Sequence, residues 1–152
     1  MYYKKLDWPV LNDQQHAELL STINTQKNPK PIGAWGSTYL HYTVPSSILT
    51  WCKENLPIDG YSQIVLQRFC NVNSIPVHTD IRRTENIIYL LSESGPITRW
   101  QKEGVVVDEI CVPQHQWFSL NTGAPHEVLN LNGDRVAISI FNILYPVSKK
   151  SA

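Results

Sequence analysis

The stretch HEVLNLNGDRVAISIFNIL, residues 126–144, predicts two β-strands joined by a tight turn. Both runs are rich in residues that favour strands, and the Asn132-Gly133 pair between them suits a two-residue type I′ turn. That turn would set His126 opposite Ser139, with Arg135 on the same face of the sheet. His126 and Arg135 would then share a cavity, about 13 Å apart at roughly 3.3 Å per residue, which leaves room for a small extended ligand.

The chain from residue 61 onward has the same pattern of residue types as this stretch. Short runs of β-branched and aromatic residues alternate with Gly, Pro and Asn clusters. They predict strands at residues 62–69, 76–79, 86–91, 97–101, 105–112, 117–120, 126–131 and 135–144. Short strands in such close succession indicate an antiparallel sandwich or barrel of the jelly-roll type.

Two helical patterns precede these strands. The first begins at Asn12 or Asp13, and Gln15 stands where it would complete a capping box with Asn12. The second begins at Pro45-Ser46, and a loop is expected over residues 27–36 between them. The expected fold is therefore mainly β, a double-stranded β-helix of the jelly-roll or cupin-like kind, with one or two flanking N-terminal helices.

Size and charge limit the organisation and the partners of the chain. With 152 residues, of which 42% are hydrophobic, one domain over residues 1–152 is expected, with its β-helix core at about 61–146. Thirteen basic and thirteen acidic side chains cancel, which argues against nucleic acid or an anionic membrane as the main partner. The sequence does not define an oligomeric state.

The cysteines and the N-terminus bear on the compartment. Cys52, Cys70 and Cys111 are odd in number and widely spaced, which fits neither a disulfide framework nor a paired zinc motif. The first residues lack the apolar run of a signal peptide, and no uninterrupted apolar stretch approaches eighteen residues. We therefore expect a cytoplasmic protein with free thiols and no membrane partner.

The pair His78-x-Asp80 is the main candidate for chemistry. At a strand end, residues two apart send their side chains to one face, and His126 from a distant strand would complete two imidazoles and one carboxylate. This donor set suits non-haem Fe(II) and leaves the opposite positions open for a chelating co-substrate and oxygen. A lone His-x-Asp is common by chance, so the hypothesis depends on its coincidence with His126, with Arg135 and with the strand pattern.

Arg135 is the candidate for anion binding. A buried arginine that faces the cavity requires an anionic partner, because an unpaired buried charge is costly. One carboxylate of a diacid co-substrate would meet that requirement. The alternative is a surface ion pair with Asp134 or Asp108.

Residues 63–145 resemble the double-stranded β-helix of 2-oxoglutarate oxygenases, especially the prolyl hydroxylase branch. The segment at 125–128 is similar to that around the distal iron histidine, and the segment at 135–140 is similar to the co-substrate arginine with a hydroxyl residue, here Ser139, four positions on. Tyr89 resembles the tyrosine that joins this arginine at the co-substrate carboxylate, or else it is a core aromatic.

The resemblance implies Fe(II), held by His78, Asp80 and His126, with 2-oxoglutarate and O2 as co-substrates. Arg135, Tyr89 and Ser139 would bind 2-oxoglutarate, and no catalytic residue is expected beyond the metal ligands. The implied activity is hydroxylation of an unactivated C–H on a peptidyl, prolyl-type residue, with release of succinate and CO2. The alternatives are the same chemistry on a free amino acid or small metabolite, or a non-catalytic metal-binding jelly-roll module.

The chain also departs from the family pattern. Phe69 stands where these enzymes carry a tyrosine, so orientation of 2-oxoglutarate would rely on Gln67, Arg68 or Asn121. Residues 71–74 replace the usual glycine-rich turn. Three histidines are expected to be structural: His16, His41 and His115. Four residues either line a substrate groove or are solvated: Arg82, Arg83, Arg99 and Trp100.

Overall fold

The computed structural model describes residues 1–34, 37–80, 83–131 and 134–142. Over these residues the chain forms eleven strands and two helices. In chain order they are β1 (Tyr3–Lys5), α1 (Asp13–Thr25), β2 (Lys30–Ala34), β3 (Ser37–Tyr42), α2 (Ser46–Asn55), β4 (Gln63–Cys70), β5 (Ile75–His78), β6 (Glu85–Leu90), β7 (Ile97–Lys102), β8 (Val105–Cys111), β9 (Trp117–Asn121), β10 (His126–Leu129) and β11 (Asp134–Phe141).

The strands form two antiparallel sheets. The larger has the order β1-β9-β6-β11-β4-β3-β2, and the smaller has the order β5-β10-β7-β8. The chain crosses between the two sheets after β4, β5, β6, β8, β9 and β10, which is the connectivity of a jelly roll. The predicted fold class, mainly β with flanking helices, is confirmed. No helix among the described residues is long and apolar enough to cross a membrane.

Most strand positions agree with the sequence prediction. All eight strands expected from residue 62 onward are present, and their ends differ from the prediction by at most two residues, except that β11 ends at Phe141. Residues 143–146 of the expected core lie outside the described residues. The structure adds β2 within the expected loop, where Pro31 and Gly33 lower the strand propensity. An edge strand tolerates both residues, and β2 lies at the edge of the larger sheet.

The predicted pairing of the last two strands is wrong. β10 pairs with β5 and β7, whereas β11 pairs with β4 and β6 in the other sheet. Ser139 therefore faces Val65 and Ile88 across its neighbouring strands, and not His126. The backbone N–H of Asp134 does donate to the carbonyl of Leu131 at 3.1 Å, but this turn carries the chain from one sheet to the other. Asn132 and Gly133 themselves lie outside the described residues.

Alternate side chains of β11 pack into different core clusters on the two sides of the larger sheet. Val136, Ile138 and Ile140 belong to the core cluster that includes buried residues of both helices. Ala137 belongs to a second cluster, which includes Trp100 of the smaller sheet. Because side chains alternate along a strand, Arg135 and Ser139 lie on the same face as Ala137, toward the interior between the sheets.

Helix α1 packs on the outer face of the larger sheet. Its capping box is formed as predicted, with Gln15 N–H donating to Asn12 Oδ1 at 2.8 Å and Asn12 N–H donating to Gln15 Oε1 at 2.9 Å. His16 is half-buried, and its Nε2 is hydrogen-bonded to the Tyr89 hydroxyl at 2.7 Å. The His16 ring also stacks on His115, with centroids 3.8 Å apart. His16 therefore joins α1 to the sheet.

This contact predicts an acid-sensitive contribution to stability. Burial and the neighbouring His115 lower the pKa of His16 below its ordinary value of 6.5, although Asp13 opposes them. The unfolded chain then binds the proton more tightly than the native state, so the free energy of unfolding falls as the pH drops below 6.5. Urea unfolding at about pH 7.5 and pH 5 should show that the free energy of unfolding falls less between these pH values in His16→Gln than in the wild type.

The pKa values of His41 and His126 are lowered as well, so the wild type loses stability from several groups over this range. The quantity to compare is therefore the difference in the free energy of unfolding between the wild type and His16→Gln at each pH. An equal loss in both would contradict the role assigned to His16.

Candidate metal centre

His78 and His126 are brought together by strand pairing. His78 is the last residue of β5 and His126 is the first residue of β10, and the two lie opposite each other in the antiparallel register. Their ring centroids are 4.3 Å apart. Asp80 follows two residues after His78, and its backbone N–H donates to the carbonyl of Thr122 at 2.9 Å. Strand pairing and one backbone hydrogen bond therefore place His126 beside the pair His78 and Asp80, from which it lies far apart in sequence.

The donor atoms of these three residues face one another. Asp80 Oδ1 lies 3.4 Å from His78 Nε2 and 3.9 Å from His126 Nε2, and the three donor atoms all lie within 4.8 Å of one another. Ligands that bind one ion at right angles with bonds of about 2.1 Å lie roughly 3 Å apart. Small side-chain movements would close the group around a divalent cation.

Both imidazoles are oriented by the backbone. His78 Nδ1–H donates to the carbonyl of Pro76 at 2.7 Å, and His126 Nδ1–H donates to the carbonyl of Ala124 at 2.8 Å. Because a carbonyl can only accept, Nδ1 must carry the proton in each ring. Nε2 is then the nitrogen turned toward Asp80, which is the tautomer that a metal ligand needs.

The charge states also suit a metal. Burial alone would raise the pKa of Asp80, but the charge of the Arg83 guanidinium helps to hold it below its usual range, so the carboxylate is ionised. Burial, which outweighs the hydrogen bond to Ala124, lowers the pKa of His126 and favours the neutral ring. A carboxylate and neutral imidazoles are the protonation states that bind a divalent ion.

A cavity between the two sheets contains the three residues, and its wall holds polar atoms without partners. Among the described residues, four buried side-chain atoms make no hydrogen bond: Asp80 Oδ1, Asn86 Oδ1, Thr122 Oγ1 and Arg135 Nε. All four residues line this cavity. Because buried polar groups are nearly always satisfied, their concentration here indicates a site for a polar ligand.

Arg135 is buried in this wall, with 7% of its surface exposed. Burial lowers its pKa to about 10, so it stays charged at neutral pH. The expected alternative of a surface ion pair is wrong, since Asp134 pairs instead with Arg68 through bonds of 3.0 and 3.1 Å. Within the part of the chain that the structure describes, no carboxylate forms a salt bridge with Arg135. The guanidinium therefore provides a binding position for an anion.

The structure contradicts the co-substrate role expected for Tyr89. This side chain lies in the core cluster on the helix side of the larger sheet, where its hydroxyl bonds His16 and burial raises its pKa to about 12. Tyr89 faces Ile138 in the register, and Ile138 points away from the cavity. Tyr89 is therefore the core aromatic of the alternative reading. Both faces of β6 are apolar, so alternation alone could not assign its side.

Ser139 is on the cavity side of the sheet, and it contacts the cavity residue Gln67. It is 1% exposed, and its hydroxyl accepts a hydrogen bond from Gln67 Nε2 at 2.8 Å. Gln67 itself lines the cavity. Ser139 therefore positions a polar cavity residue.

The other candidates divide between the cavity and the surface. Phe69 lines the cavity and stacks on Tyr39, with ring centroids 4.6 Å apart, and Tyr39 is a further cavity residue that the sequence pattern did not indicate. Arg68 is on the outer face with Asp134, whereas the Asn121 side chain accepts from the N–H groups of Gly123 and Ala124. These two residues therefore support local structure.

Of the four residues expected either in a groove or in solvent, Arg83 and Trp100 line the cavity. Arg99 pairs with Glu109 at 3.1 Å in an exposed position, and Arg82 lies outside the described residues. The remaining histidine, His41, is half-buried beside Tyr39 with ring centroids 5.2 Å apart. Asn86, Thr98 and Thr122 were missed as cavity residues, because only alternation along correctly paired strands could have assigned them.

Comparison with known proteins identifies the fold. No family model matches the sequence, and no curated protein matches it. Among solved structures, a prolyl-4-hydroxylase from Pseudomonas putida is similar with a TM-score of 0.59 and 14% identity, over 95% of this chain and 93% of that one. A 2OG-Fe(II) oxygenase family oxidoreductase from Burkholderia pseudomallei gives 0.59 and 10%, over 90% and 82%.

A third similar structure is a prolyl hydroxylase from Trichoplax adhaerens in complex with a peptide fragment of the hypoxia inducible factor oxygen degradation domain. Its TM-score is 0.59 at 14% identity, over 93% of this chain and 83% of that one. At these identities the similarity establishes the fold. The expected resemblance to prolyl hydroxylases and other 2-oxoglutarate oxygenases is confirmed at that level.

The geometry predicts a metal site that depends on His126. Calorimetric titration with Co(II) should show one site in the wild type, and His126→Ala should weaken it by at least about tenfold. His115→Ala is the matched control, because His115 lies outside the three-residue group and should leave the affinity unchanged. Equal affinities in the wild type and His126→Ala would remove His126 from the site.

Proposed function

We propose that this chain is an Fe(II)- and 2-oxoglutarate-dependent oxygenase that hydroxylates an unactivated C–H and releases succinate and CO2. The observation that carries the proposal is the placement of His78, Asp80 and His126 in one cavity with the buried Arg135, which has no carboxylate partner among the described residues. The two imidazoles and one carboxylate suit Fe(II), and the guanidinium of Arg135 suits the second carboxylate of the co-substrate. The similarity in fold supports the same class.

His78, Asp80 and His126 would hold the metal through two Nε2 atoms and Asp80 Oδ1. When bound, Fe(II) with 2-oxoglutarate supplies the activation of O2 and the oxidising power for C–H hydroxylation. The contribution of the protein is binding and orientation. Three protein ligands would leave the remaining coordination positions of the metal for the co-substrate and O2.

Arg135 would bind the distal carboxylate of 2-oxoglutarate. A guanidinium presents paired N–H donors that match a carboxylate, and its burial strengthens the attraction because water is excluded. The wall residues Asn86 and Thr122 offer further polar atoms. Gln67, held by Ser139, adds an amide that is already oriented before the ligand binds.

The cavity would also protect the reaction from water. The side chains of His78, Asp80 and His126 are 9%, 4% and 6% exposed. Apolar residues complete the wall, including the fully buried Trp100 and the buried Leu120. A site whose metal-binding side chains are this little exposed would limit side reactions of a reactive oxidant.

A peptidyl, prolyl-type residue is the substrate that we propose first. The support is the similarity in fold to two prolyl hydroxylases, one of them solved with a peptide fragment. We also propose that residues 1–152 form a single oxygenase domain. The three cysteines are free thiols, which fits the proposed location in the reducing cytoplasm.

Anaerobic addition of Fe(II) and 2-oxoglutarate should produce a weak visible charge-transfer band in the wild type. Arg135→Gln should weaken 2-oxoglutarate binding by roughly thirtyfold or more, the effect of about 2 kcal/mol for a lost partner of a buried charge. Its affinity for the metal alone should be unchanged. Arg68→Gln is the control, because Arg68 is on the outer face and pairs with Asp134.

No band in the wild type would overturn the proposed function. A band that persists in Arg135→Gln at wild-type 2-oxoglutarate concentrations would overturn the assignment of Arg135.

The substrate class has its own test. Succinate release by the Fe(II)-loaded protein should be stimulated by proline-containing peptides and not by free amino acids. Stimulation by free amino acids alone would replace the peptidyl substrate with a small metabolite and leave the oxygenase chemistry in place.

A further inference from the structure

Asp80 is held by a side chain three residues further along the chain. Arg83 Nε–H donates to Asp80 Oδ2 at 2.8 Å, and the backbone N–H of Asp80 donates to Thr122. The other carboxylate oxygen, Oδ1, is buried without a hydrogen-bond partner among the described residues and faces the two imidazoles. The two oxygens of one carboxylate are therefore in different environments.

Arg83 is itself held in place. Its guanidinium carbon lies 4.2 Å from the centroid of the Phe141 ring, which favours a cation stacked on the aromatic face. Phe141 is the last residue of β11, and the Arg83 side chain is 19% exposed. The guanidinium thus connects the loop that bears Asp80 to the larger sheet.

We infer that Arg83 is a positioning residue that fixes the orientation of Asp80 and makes it a one-oxygen metal ligand. This inference rests on the proposed function. A carboxylate can bind a cation through one oxygen or through both. The hydrogen bond to Oδ2 restrains rotation of the carboxylate and keeps Oδ1 toward the metal. The coordination position that a second oxygen would occupy then stays open for the co-substrate or O2.

The competing explanation is that Arg83 only neutralises the charge of Asp80. This explanation predicts the opposite change in metal affinity when Arg83 is removed. A guanidinium beside a metal ligand repels a divalent cation, so its removal would tighten metal binding on Coulombic grounds alone. If Arg83 instead orients Asp80, its removal weakens metal binding despite the relief of that repulsion. Metal affinity therefore distinguishes the two roles without any measurement of activity.

The covalent structure of arginine allows matched variants. Nε is the donor, and the Nε2 of glutamine stands at the same number of bonds from the backbone, so Arg83→Gln keeps the donor and loses the charge. In Arg83→Met a methyl group takes that position, and both the donor and the charge are lost. Arg83→Lys keeps the charge but moves the donor one atom further out.

Co(II) affinity should fall about tenfold or more in Arg83→Met, as expected for loss of a partner that orients a ligand. Arg83→Gln should stay within about threefold of the wild type, because it restores the hydrogen bond. The visible spectrum of bound Co(II), which reports coordination number, should change in Arg83→Met and be wild-type in Arg83→Gln. Arg99→Met is the control, since it removes an exposed arginine that pairs with Glu109.

Several outcomes would overturn the inference. Wild-type affinity and spectrum in Arg83→Met, or tighter binding in Arg83→Met and Arg83→Gln alike, would leave Arg83 a neutralising charge only. Phe141→Leu removes the stacking surface and leaves Asp80 and Arg83 intact, so it should lower the Co(II) affinity, as Arg83→Met does. Wild-type Co(II) affinity in Phe141→Leu would also contradict the inference. Absence of a Co(II) site in the wild type would instead remove the proposed function itself.

Discussion

The antiparallel pairing of β5 with β10 is the contact on which the candidate site depends. It sets His78 opposite His126, and β7 completes the row on the other side of β10 with Trp100. The backbone ladder therefore fixes the separation of the two imidazoles before any metal is bound. The loop after β5 is tied in turn to the end of β9 by the bond from Asp80 to Thr122. Two paired strands thus carry the imidazoles, and a backbone hydrogen bond holds the loop residue Asp80, which favours a preorganised site for a metal.

The cavity between the sheets holds polar groups whose burial is unfavourable unless a ligand pairs with them. Arg135 loses hydration without gaining a carboxylate from the described chain, and Asn86 and Thr122 keep unbonded oxygens. Natural proteins accept such local cost mainly where function requires it. The surrounding apolar clusters, which include fully buried residues such as Trp100 and Ile138, provide the stability that offsets it.

The sequence predicted the strands well, because β-branched runs and turn residues are local signals. It also singled out His78, Asp80, His126 and Arg135, which the structure brings into one cavity. It failed on pairing, since the Asn-Gly turn predicts a reversal of the chain but not which strands will be hydrogen-bonded. The expected proximity of His126 and Arg135 survived that error, because the two sheets face each other across the same interior.

What the sequence determined by itself was the chemistry and the local geometry: the donor types, their spacing along strands, the capping box of α1 and the positions where the chain turns. The tertiary structure alone decided which face of β6 carries Tyr89, how Ser139 reaches the cavity through Gln67, and that Arg83 lies between Asp80 and Phe141. The physical reason is that alternation defines two faces of a strand, whereas long-range pairing and packing decide what each face meets.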